Sequence, residues 1–126
     1  MAIYFTIKEM TKSQTAELYH IDNIPGEKVI GNLKKTMYIL DMIRIHIGKP
    51  IIINSGYRCE KLNEKVNGVR NSMHTKGLAA DFRTREKEDI DTMFKFLRKN
   101  QKDFKIIELI NYKTFIHMGV SETLTI

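Results

Sequence analysis

The chain carries a single cysteine, Cys59. No intrachain disulfide can form, and a cysteine-rich zinc site is excluded. With no second soft ligand available, Cys59 is read as a small residue at a helix start. Proline occurs twice, at Pro25 and Pro50, and there is no Pro/Gly/Ser linker, internal repeat or low-complexity stretch. No apolar run approaches the ~20 residues that a membrane span requires, so none is expected. The opening residues Met1-Ala2-Ile3-Tyr4-Phe5 lack a basic segment followed by a long apolar one, and no secretory signal is read there. A role outside the cytoplasm therefore needs another carrier. Acidic residues are the minority, 15 against 21 Lys and Arg, for a formal charge of +6. Such a surplus favours polyanions. The lysines are scattered, however, and no nucleic-acid-binding motif is present, so nucleic acid is not an expected partner.

What remains is the content of one ordinary domain. The chain has 126 residues, 42% hydrophobic and 29% charged, so a single core over residues 1–126 is expected. A short helix is read over Ser13 to Tyr19. From Pro25, Val29, Leu33, Met37, Leu40, Ile43 and Ile47 recur at steps of three and four, a helical stripe that Gly48 stops and Pro50 keeps from resuming. The β-branched run from Pro50 to Asn54 is continuous rather than alternating and predicts a strand buried on both faces. Ser55-Gly56 reads as a turn, Glu60 to Val66 as a short helix, Asn67-Gly68 as a turn and Leu78 to Phe82 as a strand. Glu86 to Lys99 is an amphipathic helix. Phe104 to Ile110 and Thr114 to Val120 form a hairpin around Asn111-Tyr112-Lys113. Helices first and strands mostly later predict an α+β domain, with helices packed on a small, mainly antiparallel sheet.

One segment carries chemistry. In Ser72-Met73-His74-Thr75-Lys76-Gly77-Leu78-Ala79-Ala80-Asp81, an imidazole and a carboxylate flank a glycine that can fold the chain back sharply. His74 and Asp81 can then face one spot. Asp81 lies between apolar Ala80 and Phe82, and a carboxylate near the core needs a cation or donors. Imidazole nitrogen with carboxylate oxygen suits zinc, and a catalytic zinc needs a third protein ligand and an open position. Among the other histidines, His46 lies off the apolar stripe of the long helix and His20 just past the first helix; both are read as structural. His117 alternates with Ile116 and Met118, so it faces away from the core. Taken singly it is equally a ligand or a hydrogen-bonded strand histidine.

The combination resembles a known family. Ser55-Gly56-Tyr57-Arg58, Leu62-Asn63, the Ser72/His74/Gly77/Ala79/Asp81 pattern and Phe115-Ile116-His117, in that order, look like the zinc D-Ala-D-Ala carboxypeptidases. That family includes phage endolysins and other peptidoglycan peptidases, and shares its fold with the Hedgehog signalling domain. Phe5 to Met10, Ile21-Asp22-Asn23 and Asn32-Leu33 resemble the small single-domain branch, often phage- or prophage-encoded. The likeness covers most of the chain.

By position, the resemblance implies His74, Asp81 and His117 as zinc ligands. Arg58 would pair with the substrate's peptide carboxylate. Ser72 would bind substrate or brace the metal shell. The implied reaction is zinc-assisted hydrolysis of peptidoglycan stem peptides, as carboxypeptidase or endopeptidase, with a base taking the proton of the metal-bound water. Here the chain departs from the pattern: Ile110 to Ile116 contains no acid or imidazole before the last ligand, and the aspartate some relatives place two positions after it is Gly119. Glu108, on the preceding strand, is the candidate base. Two readings follow. The first is an active peptidase, made in the host cytoplasm, acting at the bacterial cell wall as a monomer. The second is a catalytically impaired zinc-binding structural or virion protein on the same fold.

Overall fold

The computed structural model describes residues 3–126. Five helices, α1 (Ile7–Thr11), α2 (Gln14–Leu18), α3 (Glu27–Ile47), α4 (Glu60–Lys65) and α5 (Asp89–Asn100), accompany four strands, β1 (Ile52–Ser55), β2 (Ala79–Arg83), β3 (Ile106–Asn111) and β4 (Ile116–Val120). The strands form one wholly antiparallel sheet in the order β1-β2-β4-β3. Thus the fold is α+β, as the order of sequence signals predicted. Among the described residues no helix is long and apolar enough to cross a membrane.

The long helix begins just after Pro25 and ends at Gly48, which adopts φ +69° and donates its N–H to the Arg44 carbonyl. Left-handed backbone at a helix end costs glycine nothing. Of the α3 stripe, Leu33, Met37, Leu40 and Ile43 are buried. They join Ile90, Met93 and Leu97 of α5 and Phe82, Ile116, Met118 and Val120 of the sheet in one core. On the alternate positions of β2 and β4 lie Asp81, Arg83 and His117, each only partly buried. The side-chain period of two therefore gives this sheet a core face and a polar face.

One expectation needs correcting. The run from Pro50 to Asn54 is not buried on both faces: β1 is an edge strand, with Ile51 buried but Ile52 and Ile53 only half-buried. A continuous apolar run does not distinguish a central strand from an edge strand flanked by short helices, and here α1 packs against β1. Helix α1 was not foreseen; it is five residues long and is held by Thr6, whose hydroxyl accepts from Glu9 N–H.

Candidate metal centre

Asp81 and His117 are direct cross-strand partners of β2 and β4. Paired residues of adjacent antiparallel strands project side by side on the same face, so strand register alone brings carboxylate and imidazole together. His74 arrives from outside the sheet, on a single 3-10 turn, Met73–Lys76. Ser72 opens that turn: its buried hydroxyl accepts from His74 N–H at 3.2 Å. Gly77 closes it at φ +77°, and the chain reverses into β2. The reversal is fastened to α3 by two side chains that the apolar stripe does not reveal. Asn32 Nδ2 donates to the Lys76 carbonyl at 2.9 Å, and Thr36 Oγ1 donates to the Gly77 carbonyl at 2.8 Å.

The histidine tautomers follow from their partners. His74 Nδ1 lies 2.7 Å from the Gly56 carbonyl. A carbonyl only accepts, so the proton is on Nδ1 and Nε2 is left with its lone pair. That Nε2 is 3.3 Å from Asp81 Oδ1, and His117 Nδ1 is 2.7 Å from the same oxygen. The second nitrogen of His117, Nε2, is 2.8 Å from Glu108 Oε1. Both His117 nitrogens thus face carboxylate acceptors and donate to them in the metal-free ring; a cation at Nδ1 would displace that proton and leave Nε2–H on Glu108, the arrangement by which outer carboxylates orient metal-bound histidines.

Burial by itself would raise the Asp81 pKa. The hydrogen bond from His117 and the positive charge of that ring outweigh it and hold the carboxyl well below the usual carboxylate range. The Asp81 hydrogen bond raises the His117 pKa against the opposing effect of burial, with Glu108 adding to the rise. A carboxylate held in its charged form beside two imidazoles can take a cation. One ligand atom from each of His74, Asp81 and His117 lies within 4.8 Å of the others, so the three could hold a metal ion. Two imidazole nitrogens and one carboxylate oxygen suit a borderline divalent cation.

Arg58 stands next to this cluster. Its backbone N–H donates to the His74 carbonyl at 3.1 Å, the charge of Asp81 acts on its guanidinium, and its Nε is buried without a hydrogen-bond partner among the described residues. Burial lowers the Arg58 pKa, and Asp81 opposes that shift. Glu108 pairs across the ladder with Gly119, at a register shift in β3. A Cβ at position 119 would fall 2.7 Å from Glu108 Oε1 and 3.0 Å from Glu108 Cβ. The absent side chain at 119 thus makes room for the Glu108 carboxylate. His46 is exposed and stacked on Phe96 with ring centroids 4.1 Å apart, and His20 is exposed past α2; neither joins the cluster.

Two contributors were given no role by the sequence reading. The Gly56 carbonyl that fixes His74 is backbone, and no side-chain pattern marks it. Asn23 is the other: its amide donates to the Thr11 and Tyr57 carbonyls at 2.9 and 3.0 Å, and its oxygen accepts from Cys59 N–H at 2.8 Å. It ties α1, the segment carrying Arg58 and the start of α4 together. Cys59 itself opens α4, its sulfur facing Leu62 N–H at 3.5 Å. A family model described as Peptidase M15 matches residues 3–119 of the chain. No curated protein matches it.

Proposed function

The chain belongs to the Peptidase M15 family, and on that premise we propose that it is a zinc-dependent peptidase hydrolysing peptidoglycan stem peptides. The observation that carries this reading is the convergence of His74 Nε2, Asp81 Oδ1 and His117 Nδ1 beside an unpaired Arg58. These three residues would hold the ion. A zinc ion bound to three protein groups supplies a water of lowered pKa and polarises the scissile carbonyl.

The chain's own residues supply the rest. Asp81, in its charged form, balances the cation, and the Gly56 carbonyl keeps His74 in the tautomer that ligates. Ser72 holds the backbone of His74 in place. Arg58 offers a planar guanidinium for the substrate's carboxylate. Glu108 is proposed as the acceptor of the water proton. Among the described residues it is the one carboxylate besides Asp81 bonded to a member of the cluster, and its side chain is 44% exposed, open to substrate and solvent. The likeness of the N-terminal stretch to small phage-type relatives supports a phage or prophage source. It also supports synthesis in the host cytoplasm and action at the cell wall.

Digestion of purified peptidoglycan by the zinc-loaded protein, followed by mass spectrometry of released peptides, tests the reading. Stem-peptide products that vanish on adding chelator are expected. An intact wall under zinc-replete conditions would leave the second reading, a catalytically impaired zinc-binding structural or virion protein. What favours that alternative is the segment Ile110 to Ile116, which carries no acid or imidazole ahead of His117.

A further inference from the structure

The sheet has a free edge next to the metal cluster. β1 is the outermost strand, and its last residue, Ser55, pairs with Asp81. Beside β1 runs a groove of about 800 Å³, within the range that holds small-molecule or peptide-sized ligands. It is lined by β1 along its whole length, by residues 12–15 at the junction of α1 and α2, and by Leu62 and Val66. Three cations, Lys12, Arg58 and Arg83, line it against one carboxylate, Glu9. None of the three is ion-paired among the described residues. Arg83 has only a weak bond at 3.5 Å to the neutral Thr84 carbonyl, and Arg58 Nε is buried with no partner.

Two independent features therefore point to one kind of occupant. An edge strand presents backbone donors and acceptors to which an extended chain can add. Partly buried guanidinium groups without partners call for carboxylates, which they grip with paired hydrogen bonds. We propose that the groove binds an extended acidic peptide laid alongside β1, with one carboxylate at Arg58 beside the metal cluster and another at Arg83 and Lys12. The peptide is then held by backbone pairing for position and by the cations for selection. Arg83 and Lys12 act on binding, away from the reacting bond. The inference rests on the peptidase reading in taking this peptide to be the substrate, and its test reads binding separately from cleavage.

The full chain, nitrogen-15 labelled and kept in chelator so that no turnover occurs, is titrated with two synthetic pentapeptides. One carries a glutamate and a free C-terminus; the other has glutamine and a C-terminal amide. The acidic peptide should shift the amide signals of Ile52, Ile53 and Asn54 and bind more tightly than the neutral one. Arg83→Gln should raise its Kd about tenfold, the worth of one charge-assisted hydrogen bond, and leave the neutral peptide unaffected. Lys12→Gln lies outside the sheet and should act in the same direction, which keeps the test decisive if the Arg83 variant does not fold. Equal affinity for the two peptides, shifts confined to another surface, or unchanged Kd in the variants would overturn the proposal. Acidic-peptide binding at β1 without cleavage by zinc-loaded protein supports the groove and removes the peptidase reading. Cleavage with a KM indifferent to Arg83 and Lys12 does the reverse.

Discussion

Replacing Glu108 by glutamine keeps an acceptor opposite His117 Nε2 but removes the group that could take a proton. Replacing it by alanine removes both. Zinc affinity should survive Glu108→Gln and fall roughly 10- to 100-fold in Glu108→Ala, the usual cost of losing a carboxylate behind a ligating histidine. The hydrolysis rate should fall about 10²- to 10⁴-fold in both. Competition with a chromogenic chelator, alongside the wall-digestion rate, separates the two effects. Equal zinc affinity in all three proteins would contradict the orienting bond, and an unchanged rate in Glu108→Gln would remove Glu108 as base. The same neighbourhood sets a pH dependence. In chelator-treated protein, His117 has a raised pKa, so its share of stability is full below its ordinary value of 6.5 and lost as pH rises through the raised one. Asp81 has a depressed pKa, so its share is present above 3.8 and is lost only in strong acid. Tm without metal should therefore be highest in mild acid and fall past neutrality. Zinc stabilisation should run the other way, because protons compete for the ligating imidazole. Melting curves across pH, with and without zinc, check this; parallel curves would contradict it. The spacing of His74 and Asp81 across Gly77 was legible in the sequence, and the resemblance added His117, which converges on them here. The Gly56 carbonyl was not, and neither was the space that Gly119 leaves for Glu108.

The elements that present these residues are short and pinned by single side chains. Gly77 is the clearest case: it combines φ +77° with an approach that would put a Cβ 2.8 Å from the Val29 carbonyl. Gly77→Ala should cost about 1–2 kcal/mol for the left-handed backbone alone, more with the clash, and should displace His74. Lower denaturant midpoint together with weakened zinc binding is the expected pair of readouts. Asn23 fixes three backbone groups at once, and its loss leaves buried donors and acceptors unsatisfied at about 1–3 kcal/mol each. Asn23→Ala should thus destabilise by about 2 kcal/mol or more, measured by urea unfolding. Helices α3 and α5 were readable because their periodicity is long. The predicted start of α5 at Glu86 was early; the helix begins at Asp89. Helix α1 and the 3-10 turn, five and four residues long, carry no period and were missed, although the equally short α2 was read. The edge position of β1 was hidden too, because edge and centre differ in what packs beside them and not in their own residues.

At the scale of the molecule, the sheet divides the labour. One face, with α3 and α5, buries the core; the other carries Asp81, Arg83 and His117. The register of β2 on β4 aligns Asp81 and His117, and a turn clamped to α3 delivers His74, so the core behind them fixes all three. That arrangement brings distant stretches of sequence to one candidate metal-binding point. Its most direct test is the metal content of the purified, zinc-exposed chain, compared with Asp81→Ala under identical handling. The account predicts one zinc per wild-type chain and almost none in the variant, with both proteins folded by circular dichroism. A wild-type chain that retains no stoichiometric zinc, or a variant that retains as much as wild type, would contradict it.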